Sequence, residues 1–174
     1  MLTPGQEKYL STFSDAESVE IRPFNPLARE IGNTLIKQIQ NVLPATEIYY
    51  IGSSVFGIAG ENDVDISMVS SGIFEEEVEK LSSLLGEPSR LKEDKKRAEW
   101  KFVKNDIPVE VYLNDTITPL LADQIKTHEL LQNSPALLRE YENLKIAFNN
   151  KPRKAYMQAK MDFFNRVLAN SSTR

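Results

Sequence analysis

The chain has 174 residues, 41% of them hydrophobic and 26% charged, an ordinary balance for a globular protein long enough to bury a core without a metal or disulfide staple. A net charge of −4 and a pI of about 5.2 speak against an extended nucleic-acid footprint. The absence of cysteine excludes disulfides, thiolate nucleophiles and zinc–thiolate sites, and the single histidine, His128, excludes multi-histidine metal centres.

The opening residues, "MLTPGQEKYL", lack the basic segment and apolar stretch of a secretory signal, and no apolar run reaches the roughly 20 residues of a membrane helix. These features and the missing cysteines predict a cytoplasmic location. "TPGQEKYLSTF" predicts a short helix, and "EIRPFNP", broken by Pro23 and Pro26, an extended segment. Leu27, Ile31, Leu35, Ile39 and Val42 recur at helical spacing, and that helix must end before Pro44. "TEIYYIG" predicts a strand ending at Gly52, and "DVDISMV" alternates Val64, Ile66 and Met68 with Asp63, Asp65 and Ser67, the period of a strand with one buried face. Residues 73–85 predict a helix closed by Gly86 and Pro88, with Glu75, Glu76 and Glu77 favouring the dipole of its first turn. Residues 98–114 predict a hairpin turning at Asn105 and Asp106. From Thr118 onward the pattern is helical, with Pro119, Pro135 and Pro152 near three helix starts. The fold class expected is α+β. Its parts are an N-terminal helix over 1–19, an α/β core over 20–116 and a helical extension over 117–174, packed together as one compact domain.

The chemistry concentrates in "IGSSVFGIAGENDVDIS" and the later hairpin. On a strand, residues two apart share a face about 6.5–7 Å apart, so Asp63 and Asp65 project together while Val64 and Ile66 face the core. Two such carboxylates suit one or two Mg²⁺ ions, which prefer oxygen ligands and commonly add substrate phosphates. The plainer alternative is a polar strand face. Gly52, Ser53 and Ser54, directly after a strand, offer backbone N–H groups and hydroxyls that could hold an anion. Gly57 and Gly60 would ease a close backbone approach, as they would in any surface connection. A two-residue turn at Asn105 and Asp106 sets Lys104 opposite Ile107, Phe102 opposite Val109 and Lys101 opposite Glu110. Glu110 is then either a third carboxylate, able to accept a proton from an attacking hydroxyl, or simply the partner of Lys101.

The order strand, Gly-Ser turn, D-x-D strand, helix, hairpin with a later acid resembles the nucleotidyltransferase superfamily of DNA polymerase beta. The resemblance implies that Gly52 and Ser53 hold a nucleotide's phosphates and that Asp63, Asp65 and Glu110 hold two magnesium ions. "IRPFNP", "IGSSVFGIAGENDVDI" and "LLREYENLKIAF…KAYMQAKMDFFNRVL" resemble more closely the GrpB family of that superfamily, over about residues 20–168. Arg139, Glu140, Tyr141, Leu144, Lys145, Tyr156, Lys160 and Phe163 carry the most specific part. GrpB-type sequences usually have a proline before the second glycine and a single aspartate. Here Phe56 precedes Gly57 and "ENDVD" supplies two aspartates, the pattern of a catalytic member.

Together these features predict a Mg²⁺-dependent protein, with Mn²⁺ able to substitute, that transfers a nucleoside monophosphate from a nucleoside triphosphate to an acceptor the sequence does not name. Ser54 and Lys101 are further nucleotide contacts. The alternatives are a catalytically silent nucleotide-binding or protein-interaction module, and a structural domain whose sheet face docks a partner. Lys92, Lys95, Lys96, Arg97, Lys101 and Lys104 form the one basic stretch, which either meets a triphosphate or an RNA backbone beside the acids or, the simpler reading, is a solvated loop balanced by Glu93, Asp94 and Glu99. Lys151, Arg153, Lys154, Lys160 and Arg166 tint the last helices basic, and one of these, or Lys145, would reach the phosphates if those helices fold back over the open sheet face. Tyr141, Phe148, Tyr156, Phe163 and Phe164 read as helix-packing residues, and His128 as a surface residue without a role.

Overall fold

Helix α2 (Pro26–Val42) begins where Asn25 accepts the Leu27 N–H on its side chain and Pro26 supplies a preset first turn. In the computed structural model, which describes residues 2–14, 16–92 and 96–171, it belongs to the first of two compact units, made of residues 24–57 and 62–125. After α2 come β1 (Glu47–Ile51), α3 (Ser53–Phe56), β2 (Val64–Val69), α4 (Phe74–Leu85), β3 (Arg90–Lys92), β4 (Arg97–Lys104) and β5 (Ile107–Asn114). The strands form one five-stranded mixed sheet in the order β1-β2-β5-β4-β3. Only β2 and β5 are parallel; the other neighbours run antiparallel.

The hairpin has the predicted register: Lys104 faces Ile107, Phe102 faces Val109 and Lys101 faces Glu110. Asn105 and Asp106 both take positive φ, 50° and 62°, as a tight primed turn requires, and their short polar side chains tolerate it. One face of the sheet carries Val64, Ile66, Met68, Trp100, Val109, Val111 and Leu113, packed with Ala28, Ile31, Leu35 and Ile39 of α2 and Phe74 and Leu81 of α4. The Trp100 indole N–H donates to the Gly86 carbonyl at 2.8 Å, which ties the end of α4 to the sheet. The opposite face is polar, because β2, β4 and β5 all alternate.

Two features escaped the periodicity. Strand β3 is only three residues long and pairs through Arg90, Leu91 and Lys92, too short a run to alternate visibly. Glu77 does more than favour a dipole: it is 4% exposed, and its Oε1 accepts both the Ser71 N–H and the Ser71 hydroxyl at 3.1 Å. Of the basic stretch, Lys95 lies outside the described residues, as do the counter-charges Glu93 and Asp94.

The second unit comprises residues 1–23, 58–61 and 126–174, and the chain enters it within α5 (Pro119–Gln132). Helix α1 (Pro4–Leu10) starts with a capping box, in which Thr3 and Gln6 satisfy each other's backbone N–H groups. Helices α6 (Pro135–Ala147) and α7 (Arg153–Ser171) follow the prolines that predicted their starts. The extended segment is held by backbone bonds, Val19 to Lys151 and Asn150, and Arg22 to Gly60. Val19, Ile21, Ala59 and Tyr156 form a small core, while Tyr141 stacks on Phe163 at 5.4 Å, as expected of helix-packing aromatics. His128 is half-buried rather than on the surface, and burial lowers its pKa. No helix among the described residues is long and apolar enough to cross a membrane.

Candidate active site

The site expected from the sequence lies wholly in the sheet unit. Strand β1 ends at Ile51, opposite Asp65 of β2, and the chain then turns at Gly52 with φ 111° and ψ 178°, a conformation almost reserved for glycine. A Cβ built on Gly52 would stand 3.6 Å from Asp65 Oδ2, so its backbone runs beside that carboxylate. The expected Gly-Ser-Ser turn is the entry to a single helical turn, α3. It closes at Gly57, whose φ is 71° and whose N–H donates to the Ser53 carbonyl at 3.1 Å. Ser53 and Ser54 are both buried.

This turn is fastened on two sides. The Ser54 hydroxyl donates to the Asp63 carbonyl at 2.7 Å and lies 3.3 Å from the Tyr50 hydroxyl, which also reaches the Ala28 carbonyl at 3.2 Å. Arg29 of α2 donates from Nε to the Ser54 carbonyl at 3.1 Å and from Nη2 to the Val55 carbonyl at 2.9 Å. Its guanidinium also lies over the Phe24 ring. Asn62 takes φ 58° and accepts the Asn25 N–H, joining the approach to β2 to the cap of α2. Burial raises the Tyr50 pKa, and so do the nearby charges of Asp63 and Asp65.

Asp63 stands immediately before β2, and Asp65 lies within it, directly opposite Glu110 in the parallel ladder. Neighbouring strands lie about 4.8 Å apart, so these two acids from distant parts of the chain are adjacent on the polar face. Glu110 is already engaged: Lys101 Nζ lies 2.8 Å from Oε1, and the Tyr112 hydroxyl donates a short hydrogen bond to Oε2. Burial raises the Tyr112 pKa far above the usual range, and the bond to Glu110 raises it further. The Arg97 guanidinium lies 4.8 Å from the Tyr112 ring centroid. Arg97 and Lys92 flank the buried Glu99 at 3.4 and 3.6 Å, and Lys96 sits 3.9 Å from Asp115, so part of the basic stretch is balanced within the sheet.

The structure sets Asp65 opposite Glu110 and Glu110 opposite Lys101 across β2, β5 and β4, with the Gly52 backbone beside Asp65, Ser53 at the start of α3 and Asp63 just ahead of β2. Among the described residues, no group of three or more histidines, aspartates or glutamates is arranged to hold a metal ion. Tyr112, Arg29 and Tyr50 belong to the site's surroundings and were missed, while Arg97 was named only as part of the basic stretch. Tyr112 was within reach, since it follows Glu110 by two residues and must share its face. Arg29 lies on a helix far earlier in the chain, and nothing local marks it.

The five-stranded mixed sheet with its helices is the α+β class anticipated from the sequence. The chain belongs to the GrpB protein family, whose model matches residues 18–170. The structure of conserved protein GrpB from Enterococcus faecalis superposes with a TM-score of 0.66 at 15% identity, covering 87% of this chain and 98% of that one. The Cid1 poly(U) polymerase with MgGTP bound gives a TM-score of 0.39 at 16% identity, covering 79% of this chain and 46% of that one. A cytoplasmic RNA terminal U-transferase gives 0.41 at 15% identity, with 79% and 43% covered. No curated protein matches the chain.

Proposed function

We propose that the chain is a Mg²⁺-dependent nucleotidyltransferase that moves a nucleoside monophosphate from a nucleoside triphosphate to an acceptor hydroxyl, releasing pyrophosphate. The observation that carries this reading is Asp65 opposite Glu110 in the parallel ladder, with the Gly52 backbone beside the Asp65 carboxylate. Magnesium takes one or two carboxylates together with substrate phosphates, and Asp63, Asp65 and Glu110 offer hard oxygen donors of that kind. When bound, the metal supplies charge neutralisation for phosphoryl transfer. Gly52 and Ser53 present backbone N–H groups to phosphate at the entry of α3, where the helical turn leaves its first donors unused. Ser54 contributes by holding the turn against Asp63, and Lys101 is the nearest cation for a phosphate oxygen. Glu110 accepts the acceptor's proton once one of its oxygens is free of Lys101 and Tyr112. A cytoplasmic location is part of this reading, supported by the absence of cysteine.

The engagement of both Glu110 oxygens favours a second reading, a silent nucleotide-binding module of the GrpB family. Calorimetry with ATP, CTP, GTP and UTP, with and without Mg²⁺ or Mn²⁺, tests both. Metal-dependent binding that an Asp63→Ala, Asp65→Ala variant loses supports a nucleotide site, and pyrophosphate release with an acceptor panel supports turnover. Binding without release favours the silent module, and no binding to any triphosphate overturns both.

A further inference from the structure

Asp65, Glu110 and Lys101 face one another in a row across β2, β5 and β4, so the middle carboxylate has an acid on one side and an ammonium on the other. Lys101 Nζ lies 2.8 Å from Glu110 Oε1, and the Tyr112 hydroxyl donates to Oε2. The lysine is set there by its backbone, because the Ser89 hydroxyl accepts its N–H at 2.9 Å and donates to its carbonyl at 3.3 Å. Its ammonium also lies 5.8 Å from the Tyr112 ring centroid. Two-metal phosphoryl-transfer sites hold their ions about 3.5–4 Å apart, close enough to share ligand oxygens. Glu110 has both oxygens engaged by its own sheet, and among the described residues no group of three acids is arranged to hold a metal. One ion on Asp63 and Asp65 fits these residues; a pair does not.

We infer that the Lys101 ammonium takes the place of a second metal ion, so that the sheet site binds one divalent cation and draws its other positive charge from the protein. An ammonium is a compact full charge with three donors, and lysine is a common partner of phosphate oxygens. Phosphoryl transfer needs positive charge beside the oxygens of the group in transit, and a lysine or a metal ion can supply it. Lys101 has the freedom to do so. Its side chain is 48% exposed on the polar face, so one ammonium hydrogen can stay on Glu110 while the others turn to a phosphate. Tyr112 holds the second Glu110 oxygen against a competing ion. This metal count rests on the nucleotidyltransferase reading.

The test is frozen-solution electron paramagnetic resonance of the full chain with Mn²⁺ and the α,β-methylene analogues of ATP, CTP, GTP and UTP, with equilibrium dialysis to count the bound Mn²⁺. The wild type should hold one Mn²⁺ per chain and give the hyperfine pattern of an isolated ion. Lys101→Met should take up a second ion and give the spin-coupled signal of a pair about 3.5–4 Å apart. An ion pair this open adds little to the fold, so the variant stays folded. Lys101→Arg keeps a cation and should keep the count at one, and Lys80→Met, at an exposed residue of α4, should match the wild type. A coupled pair in the wild type, or a single isolated ion in Lys101→Met, overturns the inference and leaves the nucleotide site standing. No bound Mn²⁺ in any of these chains overturns it together with the nucleotidyltransferase reading.

Discussion

Replacing Gly57 by alanine tests whether the turn after β1 is held by its backbone geometry and by Arg29 together. Gly57 has φ 71°, and a Cβ there would stand 2.5 Å from Arg29 Nη2. The left-handed conformation costs an L-residue about 1–2 kcal/mol. Moving the guanidinium weakens its bonds to the Ser54 and Val55 carbonyls, and charged hydrogen bonds contribute about 1.5–3 kcal/mol, less here because Arg29 is half exposed. The two effects sum to roughly 2–4 kcal/mol. Urea unfolding followed by fluorescence of Trp100, the one tryptophan and 1% exposed in the same unit, reads the change directly. The double variant Arg29→Ala, Gly57→Ala separates the causes. Without the guanidinium, alanine at 57 should cost only the backbone share, leaving a coupling of about 1 kcal/mol. A Gly57→Ala variant within about 0.5 kcal/mol of wild type, or a coupling of zero, refutes the argument.

Lys101→Met removes the cation beside Glu110 at a site half open to water, so it should cost under about 1 kcal/mol in stability while tightening Mn²⁺ binding about two- to fivefold, measured by electron paramagnetic resonance. If Lys101 also meets phosphate, triphosphate affinity should fall in the same variant. Burial raises the Tyr156 pKa above the unfolded value near 10, so above about pH 10 the unfolded chain binds fewer protons and stability falls with rising pH. Tyr156→Phe should flatten that alkaline decline, read as urea midpoints between about pH 9 and pH 11; an unchanged slope contradicts the assignment. Glu77→Gln keeps an acceptor for Ser71 and should shift stability by less than about 1 kcal/mol, whereas Glu77→Ala strands the Ser71 N–H and costs about 1–3 kcal/mol in the same urea assay.

Where the signal was periodic, the sequence was legible. The spacing of Leu27, Ile31, Leu35 and Ile39 marked α2, the alternation around Ile66 marked β2, and Asn105-Asp106 set the hairpin register that puts Lys101 opposite Glu110. Three kinds of feature were not legible. Strand β3 is too short to show a period, and α3 is a single helical turn inside what reads as a glycine loop. Arg29 acts through the Ser54 and Val55 carbonyls and Tyr50 through the Ala28 carbonyl, more than twenty residues away along the chain, a relation that no local pattern encodes. The burial of Lys145 also lay hidden, because its place against Tyr141 and Tyr156 depends on how α6 and α7 pack.

The parallel pairing of β2 with β5 has a consequence in time as well as in space. Asp65 meets Glu110 only after α4, β3 and the whole hairpin have been made, since a parallel neighbour needs a long crossover. During synthesis, the Gly-Ser turn and Asp65 leave the ribosome well before the strand that completes them. Pairings so distant in sequence form slowly. A ligand that needs both acids would therefore find no partial site to hold, and it would stabilise the finished sheet alone, acting as a lock on the last pairing rather than as a seed for the first.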